Sequence, residues 1–165
     1  MNIHVQQYLL QRQIHLEGRT YIIADGDCMT PLIDDKDKLV IIAPTQIKKG
    51  NILLVACSDK LRVHRLIELD GDRVLTKGDL AYNLDEEIIH KSQIVGIAKY
   101  NYSKKHMVSI PFIDKQIAMW SLLEHKMVEK KGWESKCVHN LQRIIRCLLS
   151  LTCVICKHCC KNREM

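Results

Sequence analysis

The stretch NILLVACSDKLRVHRLIELDGDRVLTKGD, residues Asn51–Asp79, decides the fold class. Three runs rich in aliphatic and β-branched residues, Asn51–Cys57, Leu61–Glu68 and Arg73–Thr76, are each too short for a helix. Turn-formers separate them: Ser58-Asp59-Lys60, then Leu69-Asp70-Gly71-Asp72, the second a strong hairpin signal. The same pattern extends outward in both directions. Thr20–Ala24, Lys38–Ala43 and Gln93–Tyr100 are further short apolar runs, bounded by DGD, PLIDD, KKGN and KGD turns. About six closely spaced strands predict a barrel-like or sandwich β unit over residues 19–103.

Helical periodicity flanks this unit on both sides. IHVQQYLLQRQIHLE (residues 3–17) reads as a short amphipathic helix stopped by Gly18. From Ile113, apolar residues recur at spacings of three and four through Ile117, Trp120, Leu123 and Met127, with Asp114 suited to the helix N-terminus and Gly132 to its end. A second helix is expected from Glu134 to about Lys157, with Val138, Leu141, Ile145 and Leu148 on one face. The expected architecture is therefore mainly β, α+β overall: an N-terminal helix (1–18), a β core (19–103) and a basic, Cys-rich helical extension (104–165).

Charge and cysteine are both unevenly placed. The 165 residues carry a net charge of +6, yet residues 1–103 hold 13 Lys+Arg against 14 Asp+Glu, while residues 104–165 hold 12 against 5. The basic extension points to a membrane-surface or protein contact, or to a solvated lysine-rich surface; nucleic acid is the weaker expectation. Six of eight cysteines fall after residue 136, unlike the spread of a disulfide-stapled secreted domain. The N-terminus lacks a signal-peptide pattern, and the longest apolar run, Cys147–Cys156, falls short of the roughly 18–20 residues a transmembrane helix needs. A reducing, cytoplasmic setting is expected, with membrane-peripheral attachment the variant of it that the basic helix allows.

Three stretches carry candidate chemistry: Gly26-Asp27-Cys28-Met29-Thr30-Pro31; Val63-His64-Arg65; and Thr76-Lys77-Gly78-Asp79 with Asp85 six residues on. Cys28 on a loop beside Gly26 can present a thiol and a backbone N–H to a substrate carbonyl. His64 is a candidate general base, and Asp85 or Asp79 would fix its tautomer and stabilise its imidazolium. An imidazolium beside it makes a cysteine far more nucleophilic. Each residue alone has a commoner structural role: a buried small hydrophobe, a satisfied strand histidine, turn carboxylates.

Taken in order, G-x-C-M-x-P, K-x-G-N (residues 48–51), H-R, T-K-G-D with a later Asp, and I-V-G (residues 94–96) resemble the type I signal peptidases, relatives of the self-cleaving SOS-type repressors. The resemblance covers about residues 20–100. It implies a peptidase-like β core, with Cys28 in place of the usual serine nucleophile and His64 marking the His-type branch. It further implies Asp85 as the preferred partner of His64, Asp79 as shaping the turn, and Gly26, Asp27, Met29 and Pro31 as the substrate-binding and oxyanion loop. The implied substrate is a polypeptide, and no cofactor is called for; the expected cytoplasmic, unanchored setting points to a small dedicated substrate, such as a peptide precursor that loses its leader. Two other classes remain beside it: a catalytically silent peptide-binding relative and a nucleic-acid-binding regulator. In the tail, Cys153, Cys156, His158 and Cys159 form a candidate metal cluster that lacks the paired spacing of a zinc site.

Overall fold

The computed structural model describes residues 2–108, 110–132 and 135–161, with side chains through Ile155. Helix α1 (Ile3–Glu17) begins where the Asn2 side chain accepts the His4 N–H, and it ends at Gly18. Gly18 takes the left-handed conformation (φ 75°) and returns its N–H to the Ile14 carbonyl. Eight strands follow: β1 (Arg19–Ile23), β2 (Lys38–Ile42), β3 (Ile52–Ala56), β4 (Leu61–Asp70), β5 (Arg73–Lys77), β6 (Ile89–His90), β7 (Ile94–Asn101) and β8 (His106–Met107). Helices α2 (Pro111–Lys131) and α3 (Lys136–Lys161) complete the described chain.

All pairings are antiparallel, in the order β1-β2-β7-β3-β4-β5-β6, with β8 on β7, forming one curled sheet. The α+β class with a mainly β core is as expected from the sequence. The continuous apolar run of β3 places it at the sheet centre, where every residue is buried because both faces are covered. On one face, Ile52, Leu54 and Ala56 join Leu39, Ile41, Ile113, Ile117, Ile145 and Leu149. On the other, Leu53 and Val55 pack with Leu66, Val74, Ile89 and Ile97. Helices α2 and α3 thus contribute directly to the core of the sheet.

Two short strands escaped the sequence reading. Ile89–His90 and His106–Met107 are each two residues long, and their strand state comes from pairing with β5 and β7 rather than from any period of their own. Asp114 lies in the first turn of α2 as expected, and there its side chain is buried against Arg65 of β4. Among the described residues, no helix is long and apolar enough to cross a membrane.

Candidate active site

The loop between β1 and β2 is clamped at its base by Ala24 N–H to Asp37 O (2.8 Å) and Lys36 N–H to Ala24 O (3.0 Å). The Asp37 carboxylate accepts from the Asp34 N–H and the Asn101 side chain, which ties the loop to β7. Met29, Leu32 and Ile33 are buried beneath it, so the apolar residues of the loop anchor it and leave Cys28 half-buried at its rim. Across from this rim, β4 presents His64. The His64 Nε2 lies 3.2 Å from Cys28 Sγ, and its Nδ1 lies 2.6 Å from Asp85 Oδ2.

The Thr76–Leu80 segment explains itself residue by residue. Thr76 donates its hydroxyl to Asp85 Oδ2 (2.6 Å), and its carbonyl accepts the Asp85 N–H (2.9 Å). Gly78 passes so close beneath the pair that a Cβ there would sit 3.1 Å from the Cys28 Cβ and 3.3 Å from His64 Nε2. Leu80 N–H bonds the Cys28 carbonyl at 3.0 Å. Asp79 is turned away from His64: its two oxygens take a bidentate bond from Arg65 at 2.7 and 2.8 Å. Of the two candidate carboxylates, Asp85 therefore meets the imidazole and Asp79 serves the buried arginine.

The electrostatics follow from this geometry. Burial pulls the His64 imidazolium down, but hydrogen bonds to Asp85 and Cys28, with their charges, outweigh it and hold the group up at about 9. Burial raises the Asp85 carboxyl, yet the His64 and Thr76 hydrogen bonds and the His64 and Arg62 charges bring it below the ordinary carboxylate range. Arg62 stands 3.7 Å from Asp85 on one side and 3.7 Å from Glu87 on the other. At neutral pH the site holds a buried imidazolium between the Asp85 carboxylate and the Cys28 sulfur.

A cleft of about 380 Å³ opens beside Cys28 and His64. Ile22, Ile23 and Ala24 line one wall, Leu61, Arg62 and Val63 the other, and Met29, Ile33 and Leu54 the floor. Strand β1 pairs only with β2, and β5 covers β4 only from Arg65 onward. The two walls are therefore strand edges with open backbone groups among the described strands, the kind of edge to which an extended peptide adds.

The remaining loop residues divide by place. Gly26 lines the cleft at φ 95°, but its N–H is taken by the Asp35 carboxylate at 2.8 Å, so it is no free oxyanion donor. The Cys28 N–H has no acceptor among the described residues and is available for that role. Asp27 is exposed and uses its carbonyl on the Thr30 N–H. Met29 forms cleft floor, whereas Pro31 lies off the cleft, its carbonyl accepting from Lys104.

Residues that sequence reasoning left without a role are Arg62, Thr76 and Gly78 at the site, and Arg65, Lys77 and Glu124 behind it. For Thr76 and Gly78 the T-K-G-D motif was itself the available signal. The tail cluster is different. Cys153 packs toward the core near the Pro31 carbonyl, and the side chains of Cys156, His158 and Cys159 lie outside the described residues. Among the described residues no group of His, Cys, Asp and Glu is arranged to hold a metal, and the described cysteines are free thiols. Compared with known protein families, characterised proteins and solved structures, the chain matches none.

Proposed function

We propose that this chain hydrolyses a peptide bond in a specific polypeptide, with Cys28 as nucleophile, His64 as acid and base, and Asp85 as the carboxylate that orients His64. The observation that carries this reading is the unbroken contact from Cys28 Sγ through His64 to Asp85 at the mouth of a cleft between two strand edges. The resemblance of the ordered motifs to the His-type signal peptidases supports the same assignment. An extended substrate adds to the edges of β1 and β4, which sets its scissile carbonyl against Cys28.

In the first half-reaction the Cys28 sulfur, its proton held on His64, forms a bond to the carbonyl carbon, and the Cys28 N–H receives the developing oxyanion. The C–N bond then breaks as His64 Nε2 gives its proton to the departing amine, leaving a thioester. Water replaces the amine and passes a proton to His64. Its oxygen displaces sulfur, which frees the acid product and restores the thiolate–imidazolium pair. Asp85 keeps its charge throughout and holds Nδ1 protonated. The cleft's 380 Å³ accommodates a few side chains of an extended strand, and a precursor peptide is one substrate of that kind.

The test exploits the other free thiols as internal references. Iodoacetamide labelling, resolved by peptide mass spectrometry, should place Cys28 ahead of the exposed Cys137 and Cys147 at neutral pH. Cys57, whose thiol burial pushes up to about 11, should lag behind all three. The Cys28 advantage should collapse in His64→Ala, and a pool of synthetic peptides should yield new termini with the parent but not with Cys28→Ala. Labelling of Cys28 at the rate of Cys137 in both proteins would sink the nucleophile. Fast labelling with no cleavage of any peptide would favour the silent peptide-binding relative.

A further inference from the structure

We propose that the outward face of α3 docks this protein on an anionic lipid surface. The helix runs 26 residues with five Lys or Arg and no Asp or Glu. Its inner side is spoken for: Val138, Leu141, Ile145, Leu149 and Thr152 are buried against the sheet and α2. Its outer side is mixed: Lys136, His139, Asn140, Arg143, Arg146 and Ser150 are exposed, and an apolar stripe runs beside them toward the C-terminal half. Ile144, Leu151 and Val154 are 45%, 49% and 63% exposed, and Cys147 is exposed between them.

At about 100° per residue these four side chains share an arc of about 80°. Exposed Arg143, Arg146, His139 and Ser150 occupy the adjoining arc. An apolar stripe with a basic border and no carboxylate is the composition of a helix lying in the headgroup region of a membrane. Among the described residues it is too polar to cross one, though 26 residues would be long enough.

The neighbouring helix carries the same bias. On α2, Phe112, Met119 and Leu123 are exposed alongside Lys115 and Lys126. Two of its acids, Asp114 and Glu124, are buried in ion pairs with Arg65 and Lys77 of the sheet, which removes negative charge from the solvent side. This arrangement selects among occupants. A second copy would bring one cationic helix against another. Nucleic acid would match the arginines but would leave an aliphatic stripe with no aromatic side chain to stack on bases. An anionic bilayer satisfies both halves of the face.

Flotation of the full chain with vesicles tests this directly. Vesicles of phosphatidylcholine with about a third phosphatidylglycerol should retain the protein, and pure phosphatidylcholine vesicles should not. Replacing Arg143→Gln and Arg146→Gln together should weaken retention roughly 30-fold, which corresponds to about 1 kcal/mol per basic residue near such a surface. Leu151→Ser with Val154→Ser should weaken it roughly tenfold through lost apolar insertion. In a chain carrying Val154→Trp, emission should shift to the blue on the anionic vesicles alone, a readout that requires no destabilising change. Equal binding to both vesicle types would overturn the proposal. So would an unshifted tryptophan, a dimer in sedimentation that Leu151→Ser dissolves, or release from vesicles by a DNA duplex with the apolar variants binding as the parent does.

Discussion

Replacing Asp85 by Asn removes one charge while keeping the shape of the side chain, and it should reverse the way stability depends on pH. In the folded parent the His64 group titrates at about 9, against about 6.5 for a histidine in the unfolded chain. A group raised on folding stabilises the protein fully below the unfolded value, and that contribution is lost as pH climbs through the folded value. A shift of this size corresponds to about 3 kcal/mol, and the His64 side chain is only 10% exposed, so solvent screening removes little of it. In Asp85→Asn the carboxylate that drives most of the rise is gone and burial remains, so His64 should fall to or below 6.5. Urea unfolding across about pH 5.5 to 9.5 is the assay, with His64 followed by its ring proton resonance. The parent should lose stability relative to the variant as pH rises, the gap being widest near pH 6 and closing above about 9. Cys28→Ser, which leaves Asp85 in place, should retain most of the slope. A gap that stays constant with pH, or a His64 resonance titrating near 6.5 in both proteins, would refute the reasoning.

Gly78→Ala inserts a Cβ 3.1 Å from Cys28 and 3.3 Å from His64 Nε2. It should slow Cys28 alkylation while costing on the order of 1 kcal/mol of unfolding free energy, checked by labelling and urea melts on one preparation. Thr76→Val deletes a hydroxyl bonded to the Asp85 carboxylate. It should cost about 1.5–3 kcal/mol and reduce Cys28 labelling less than Asp85→Asn does. Arg65→Met takes the bidentate partner from the buried Asp79 carboxylate, with an expected loss of about 3–5 kcal/mol near neutral pH. Urea midpoints of variant and parent at neutral pH measure it.

The sequence carried the strands because each is a short apolar run closed by turn residues, and α1 because Gly18 ends its period. Of the site, the Cys28, His64 and Asp85 trio was legible through motif order, and nothing about any one of the three would have revealed it. The choice between Asp79 and Asp85 was not settled by spacing, because both follow the same strand. It is decided by Arg65, one residue beyond His64 and therefore on the opposite side of β4, which captures Asp79. A buried arginine leaves no local signature. Its partners Gly50, Asp79 and Asp114 are 15, 14 and 49 residues away, and only the folded chain, sheet and α2 together, brings them to it.

That arginine joins the site to the helices. Its guanidinium holds both oxygens of Asp79, the Gly50 carbonyl and the Asp114 carboxylate, so one side chain ties β4, the Thr76–Leu80 segment and the first turn of α2. Lys77 makes a second tie, to Glu124 two to three turns further along α2. The approach is close: a Cβ on Gly50, already at φ 95°, would lie 2.6 Å from the Asp114 backbone. Removing α2 would therefore leave Arg65 and Lys77 buried with fewer partners, and it would loosen the segment that seats Gly78 under Cys28 and His64. The helical extension that composition sets apart is, by this network, part of the scaffold that keeps Cys28 and His64 3.2 Å apart.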